Sequence, residues 1–154
     1  MTAVTPPSRS ILFHLAHLHR LTNPVFLERI SHLEITAPMH RVLFEVGAER
    51  GEVTSSELAR RTYVSPQTVN LVVQRLEERG LVERTPTGHS RGLALSLTAD
   101  GAAMLAELQR IHRTVVDETF AGTSVDERQL EGMLRELIDS AQDRFGGIRP
   151  GGEP

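Results

Sequence analysis

Apolar residues return at three- and four-residue spacing along most of this chain, the period of one helix face, and give way once to shorter β-prone runs. Ser10 to about Thr22 carries Ile11, Leu12, Leu15, Leu18 and Leu21 at that spacing. Pro24 then kinks or restarts the helix, which continues through Val25, Phe26 and Ile30. Thr36 begins another helix bearing Met39, Val42, Leu43 and Val46, ended by Gly47. Near the other end Thr98 caps a long helix with Met104, Leu105, Leu108, Ile111 and Val115. Ser124 and Glu127 form a capping box ahead of Leu130, Met133, Leu134, Leu137, Ile138 and Ala141.

The middle of the chain carries the strongest local signals. Thr54 and Glu57 make a capping box, so a short helix begins near Ser55, runs through Leu58 and Ala59 and stops around Tyr63. Ser65 suits an N-cap and Pro66 the first helical position, where a missing N–H costs nothing. A second helix therefore starts at Pro66 and carries Val69, Val72, Val73 and Leu76 on one face. Gly80 falls at its C-terminal end, followed by the β-prone Leu81 to Arg84, a turn from Pro86 to Gly92, and a second strand from Leu93 to Leu97. Helix, turn, helix, strand, loop, strand is the order of a winged helix-turn-helix. The predicted fold is mainly α with a small β-wing.

The outer face of the second helix bears Gln67, Asn70, Leu71, Gln74 and Arg75. Gln and Asn can pair bidentately with the major-groove edge of adenine and Arg with guanine, while an apolar side chain can touch a thymine methyl. Free N–H groups at the helix start favour phosphate. The expected DNA-contacting set is Ser55, Ser65, Gln67, Thr68, Asn70, Leu71, Gln74, Arg75, Arg84, His89 and Arg91. A helix built to dock on a protein would show more exposed apolar or aromatic residues.

With these residues in place, the chain resembles the MarR family of bacterial transcription regulators. The resemblance covers roughly Ile11 to Ala141 and rests on SSELARR, then VSPQTVNLVVQRLEERGLVER, then LALSLTADG. It departs from the family at two points. The wing is usually longer, with an Asp that braces the arginine equivalent to Arg84; here His89 stands where that Asp falls, and Arg91 alone matches a wing arginine. Position 71, often basic in the family, is Leu, which implies a different base preference.

Length and composition fit one compact unit: 154 residues, 39% hydrophobic, 4% aromatic and no Trp, hence an aliphatic core. The net charge of −3 is segregated. Thr54 to Gly92 holds six Arg against four Glu, or +2, which leaves −5 for the remainder, as nucleic-acid recognition requires. All seventeen basic residues are Arg, a choice suited to bidentate contacts but equally to a GC-rich genome. The absence of Cys excludes disulfides and thiol-based sensing. No apolar run approaches the roughly 20 residues of a membrane span, and MTAVTPPSRS has no hydrophobic signal core, so the expected location is the cytoplasm. No phosphate loop, nucleophile elbow or HExxH motif is present, and the reading assigns no catalytic residue, cofactor or metal.

The terminal helices hold more apolar surface than a small head could cover, which points to a second copy of the chain. A twofold dimer would set two recognition helices one DNA turn apart, about 34 Å, on a pseudo-palindromic site of double-stranded DNA. Residues 10–145 are expected as a single unit, with 10–35 and 98–145 as dimerisation helices and 36–97 as the DNA-binding region; 1–9 and 146–154 are expected to be flexible or disordered. The resemblance further implies a repressor released by a small aromatic or phenolic acid, bound in a crevice between the dimer helices and the head. Phe13 with His17, Met39 with Leu43, and Leu108 with His112 are same-face pairs that would line it, and Arg41, Arg110 or Arg113 would neutralise a carboxylate. Two alternatives stand: a metal-responsive regulator joining His14 and His17 to His40 or His112, and a winged helix that docks on protein without specific DNA binding.

Overall fold

The computed structural model describes residues 10–48, 53–62, 64–86 and 93–145. α1 (Ile11–Ile30) leads through a single 3-10 turn (Ser31–Leu33) to α2 (Ala37–Ala48). A two-residue strand, β1 (Val53–Thr54), precedes α3 (Ser55–Thr62) and α4 (Pro66–Glu78). The β2 (Val82–Pro86) and β3 (Leu93–Leu97) strands follow, then α5 (Ala99–Phe120) and α6 (Glu127–Phe145). The expected disorder of 1–9 and 146–154 and the turn beyond Pro86, with His89 and Arg91, lie outside the described residues.

Helix starts follow the side chains that satisfy their first amides. The Thr54 amide donates to Glu57 Oε2 at 3.0 Å while the Glu57 amide donates to Thr54 Oγ1 at 3.3 Å, the reciprocal pair expected of a capping box. Ser65 accepts from the Thr68 amide at 3.2 Å, and Thr98 from the Gly101 amide at 3.0 Å. At the end of α4, Gly80 takes φ +67°, Leu81 N–H bonds Leu76 carbonyl at 2.9 Å and Gly80 N–H bonds Glu77 carbonyl at 2.8 Å. That is a Schellman closure, which a residue with a side chain would strain.

Three details depart from the expected elements. α1 is one continuous helix through Pro24, so the proline does not restart it. The start of α6 is capped by Asp126, whose Oδ1 accepts from the Gln129 amide at 2.7 Å; Glu127 is instead drawn to Arg113, and the Ser124 capping box does not form. Strand β1 was not foreseen, because two residues are too short for an alternating pattern; it exists only through pairing Val53 with Leu95 and Thr54 with Ala94.

The sheet order is β1-β3-β2, antiparallel throughout, with Arg84 opposite Leu95. Its inner side packs with α2, α3, α4 and the first half of α5 around an aliphatic core in which Ile30, Leu43, Leu58, Val73, Leu76 and Leu108 are fully buried. The outer elements are different. In α1 only Phe26 and Ile30 are buried, and α6 has no buried residue at all, leaving Met133, Leu137 and Ile138 more than half exposed.

Head and long helix meet at a backbone contact. The Thr98 amide donates to Leu81 carbonyl at 3.2 Å, Thr98 Oγ1 donates to Gly80 carbonyl at 2.6 Å, and a Cβ placed on Gly101 would stand 1.8 Å from the Leu81 carbonyl oxygen. Gly101→Ala should therefore push α5 off the strand and lower the unfolding free energy by about 1–3 kcal/mol, read from a chemical denaturation midpoint. An unchanged midpoint would contradict this contact.

Candidate nucleic-acid interface

α4 is held against α2 and α3 by Val69, Val72, Val73 and Leu76, all buried. The opposite face is thereby committed to solvent: Gln67, Thr68, Asn70, Leu71, Gln74 and Arg75 are exposed, Leu71 at 50%. At the exit of the α3–α4 turn Ser65 Oγ caps the helix and shares a 2.9 Å hydrogen bond with Thr68 Oγ1. Ser55 sits half-buried at the start of α3. Of the predicted contacts on described residues, those from 65 to 75 thus share one helix, Ser55 opens the preceding helix, and Arg84 lies on β2 beside it.

Two side chains in this set are held by acidic partners within the head. Arg84 Nε donates to Glu77 Oε1 at 2.9 Å, so α4 itself supplies an acidic brace for this arginine. Gln74 Nε2 donates to Glu78 Oε1 at 3.0 Å, one helical turn on. A bidentate contact from Gln74 to a base requires that bond to open. Arg79, at the C-cap of α4, reaches back to the carbonyls of Glu34 (2.6 Å) and Leu33 (3.0 Å) and ties the helix to the α1–α2 connection.

A second feature lies behind the head. A crevice of about 350 Å³ opens between α1, α2 and α5, walled by Phe26, Phe44 and Phe120 and by His19, His40, Arg41 and His112. The Phe26 ring lies between two imidazoles, its centroid 4.8 Å from that of His40 and 5.4 Å from that of His112. Burial pushes the His40 titration below its ordinary value, and nearby His112 and Arg41 push the same way. Arg41 also donates through Nη1 to the Thr62 carbonyl, 3.1 Å away, at the end of α3. It therefore spans from the crevice to the helix-turn-helix.

The structure redistributes the six residues expected to bind a ligand. Only His112 lines the crevice. Met39, Leu43 and Leu108 are buried in the core, while Phe13 and His17 stack on each other, 6.1 Å apart, on the exposed part of α1. Of the three candidate arginines, Arg110 is engaged by Glu107 and Arg113 by Asp117 and Glu127, which leaves Arg41 as the crevice cation. Phe26, Phe44 and Phe120 were not foreseen as lining residues, because helical spacing shows which residues share a face and not whether that face meets core or open space. Among the described residues no group of three His, Cys, Asp or Glu comes together as a metal would require, and His14 and His17 stay outside the crevice wall. No helix among them is long and apolar enough to cross a membrane.

Comparison with known proteins places this architecture. The MarR family profile matches residues 33–91. The HTH-type transcriptional repressor Rv2887 of Mycobacterium tuberculosis is 33% identical over 110 residues, which span 70% of this chain and 78% of the repressor. The crystal structure of the M. tuberculosis MarR family protein Rv2887 in complex with DNA is 27% identical with a TM-score of 0.71, covering 84% of this chain and 98% of that one. That of its complex with salicylic acid is 26% identical with a TM-score of 0.66, covering 88% and 99%.

The geometry of the α3–α4 turn carries a direct test. Ser65→Ala removes both the cap and the hydroxyl pair with Thr68, and should lower the unfolding free energy by about 1 kcal/mol, with faster amide exchange confined to the first turn of α4. Exchange that quickens throughout the helix, or nowhere, would contradict this role.

Proposed function

The chain belongs to the MarR family of transcriptional regulators, and from that premise we propose that it is a dimeric, sequence-specific repressor whose hold on DNA is released by a small aromatic acid. The observation that carries this reading is α4: one face is closed into the core by four apolar side chains, and the other presents Gln67, Asn70, Leu71, Gln74 and Arg75 to solvent. Seated in a major groove, Gln67 and Asn70 at the front of the helix would meet base edges and Leu71 a thymine methyl. Ser55, Ser65 and Thr68, close to helix N-termini, suit phosphate oxygens. Arg84 stands on β2 at the entry to the wing that would carry His89 and Arg91.

Dimerisation follows from α6. A 19-residue helix with no buried residue and with Met133, Leu137 and Ile138 open to solvent is not a stable surface for an isolated chain. The exposed apolar residues in the first half of α1, among them Ile11, Leu12 and Leu21, add to the same demand. A second copy would cover both and place two α4 helices about 34 Å apart along DNA.

Release is supported by the crevice. Its aromatic walls and single arginine suit a planar carboxylate, and the relative Rv2887 has been crystallised with salicylic acid. An anion that engaged Arg41 would draw it from the Thr62 carbonyl and loosen the end of α3, which sets the position of α4. A ligand shifts the head only by binding one arrangement better than the other, and in this proposal the two arrangements differ in whether Arg41 holds the Thr62 carbonyl.

Fluorescence anisotropy at fixed salt tests the reading, comparing a duplex from upstream of the protein's own gene with a scrambled duplex, each with and without salicylate. Tight binding to the first alone, weakened by salicylate, is the expected result; equal weak binding to both at every promoter tried would favour a protein-docking module. On the operator, Gln67→Ala and Asn70→Ala should each cost about 1–3 kcal/mol of discrimination, whereas Arg91→Ala should weaken all sequences and flatten the salt dependence. Leu137→Glu in α6 should give monomers by analytical ultracentrifugation and abolish operator binding at nanomolar protein.

A further inference from the structure

The ionisable groups of the crevice are one-sided. His19 comes from α1, His40 and Arg41 from α2, and His112 from α5, and none of its described lining residues is Asp or Glu. Of the acids on the surrounding helices, Glu118 is held by Arg29 at 2.6 Å, Asp117 by Arg113 and Glu107 by Arg110, and none of these, nor Glu28, Glu45 or Asp100, lines the crevice wall. No ion pair among the described residues involves His19, His40 or His112. The half-buried His40 imidazole, tilted against Phe26 with a guanidinium and a second imidazole nearby, is disfavoured in its protonated form by burial and by both neighbours.

A carboxylate entering this space reverses each of those influences, because it supplies the negative charge that the wall lacks and favours the protonated imidazole. Building on the reading of the crevice as the effector site, we propose that an aromatic carboxylate binds there together with a proton, taken up by the His40–His112 pair. Arg41 alone would bind the same anion without regard to pH, since its guanidinium stays charged throughout. The paired imidazoles are what make the difference.

The direction of the pH dependence follows. His40 in the free protein titrates below its ordinary value, and beside a carboxylate it titrates higher. Between those two points the complex carries a proton that the free protein lacks, so affinity rises as pH falls through that window. Below the free-protein titration point both states are protonated and the affinity levels off. The carboxyl of salicylate is ionised across the whole range and contributes no slope of its own.

Isothermal titration calorimetry of the full chain with sodium salicylate, in phosphate and in Tris at pH 7, reads the linkage directly. The apparent enthalpy should differ between the buffers in proportion to their ionisation enthalpies, giving an uptake of up to roughly one proton, with an affinity that falls up to ~10-fold per pH unit between the titration points of the free and the ligand-bound protein and levels off outside them. His112→Gln, at an exposed position, should reduce both the uptake and the slope while the protein still melts cooperatively. Val116→Trp, which fills the crevice, should abolish binding. Equal enthalpies in the two buffers with a pH-independent affinity would overturn the proton-linked inference and leave the crevice reading intact. Salicylate binding that survives Val116→Trp, or no binding to the wild-type chain, would overturn both.

Discussion

The reading helix, the wing and the long helix behind them are keyed together where the backbone of Leu81 meets Gly101. Leu81 closes α4 through its amide and anchors Thr98 through its carbonyl, and Thr98 in turn caps α5 while donating to Gly80. These are short polar contacts with little freedom to slide, and the close approach tolerates no side chain on α5 at that point. Everything distal to the contact inherits its geometry: the angle of α5, hence the position of α6, hence the spacing at which a second copy would present its own α4. Arg79 adds a second tie from the end of α4 to the α1–α2 connection, so the reading helix is fixed at its C-terminal end to both outer layers. Its N-terminal end is held more lightly, by the Ser65 cap and by whatever restrains the end of α3.

That asymmetry bears on how the head and crevice communicate. Arg41 is the one described crevice residue whose side chain is hydrogen-bonded to the helix-turn-helix backbone, and it grips the end of α3 rather than α4. A change at this guanidinium would act on the softer end of the reading helix and leave the Leu81 anchor in place. Tilting rather than translation is the motion such a constraint allows. The braces within the head have a different character. Glu77 holds Arg84 and Glu78 holds Gln74, so two acidic side chains of the last turn of α4 steady groups that could face DNA, and both pairs are exposed enough to exchange partners at modest cost.

The head was largely written in local chemistry. Thr54 with Glu57, Ser65 with Pro66, and Gly80 each report a helix boundary through atoms only a few residues away, and the structure follows them closely. Where signals competed, the sequence misled: Ser124 and Glu127 have capping-box spacing, yet Arg113 on α5 draws the Glu127 carboxylate away and Asp126 takes the cap. The crevice was hidden for the same reason. Helical spacing grouped Met39 with Leu43 and Leu108 with His112, but the identity of the surface each group faces depends on elements far apart in the chain, α2 against α4 and α5. Only packing reveals that the first pair is core and that His112 instead shares an aromatic wall with Phe26 and His40. Strand β1 likewise has no existence apart from its partner β3.

The absence of acidic residues from the described crevice wall has a consequence at the level of the cell. A weak organic acid crosses a bilayer as the neutral molecule and dissociates on arrival, so the anion count inside says little about the acid outside. A site that takes an anion and a proton together responds to the product of their concentrations, and by the dissociation equilibrium that product is proportional to the undissociated acid. A wall that took up the anion and proton together, as proposed, would meter the permeant species itself, with side chains that never contact it in that form.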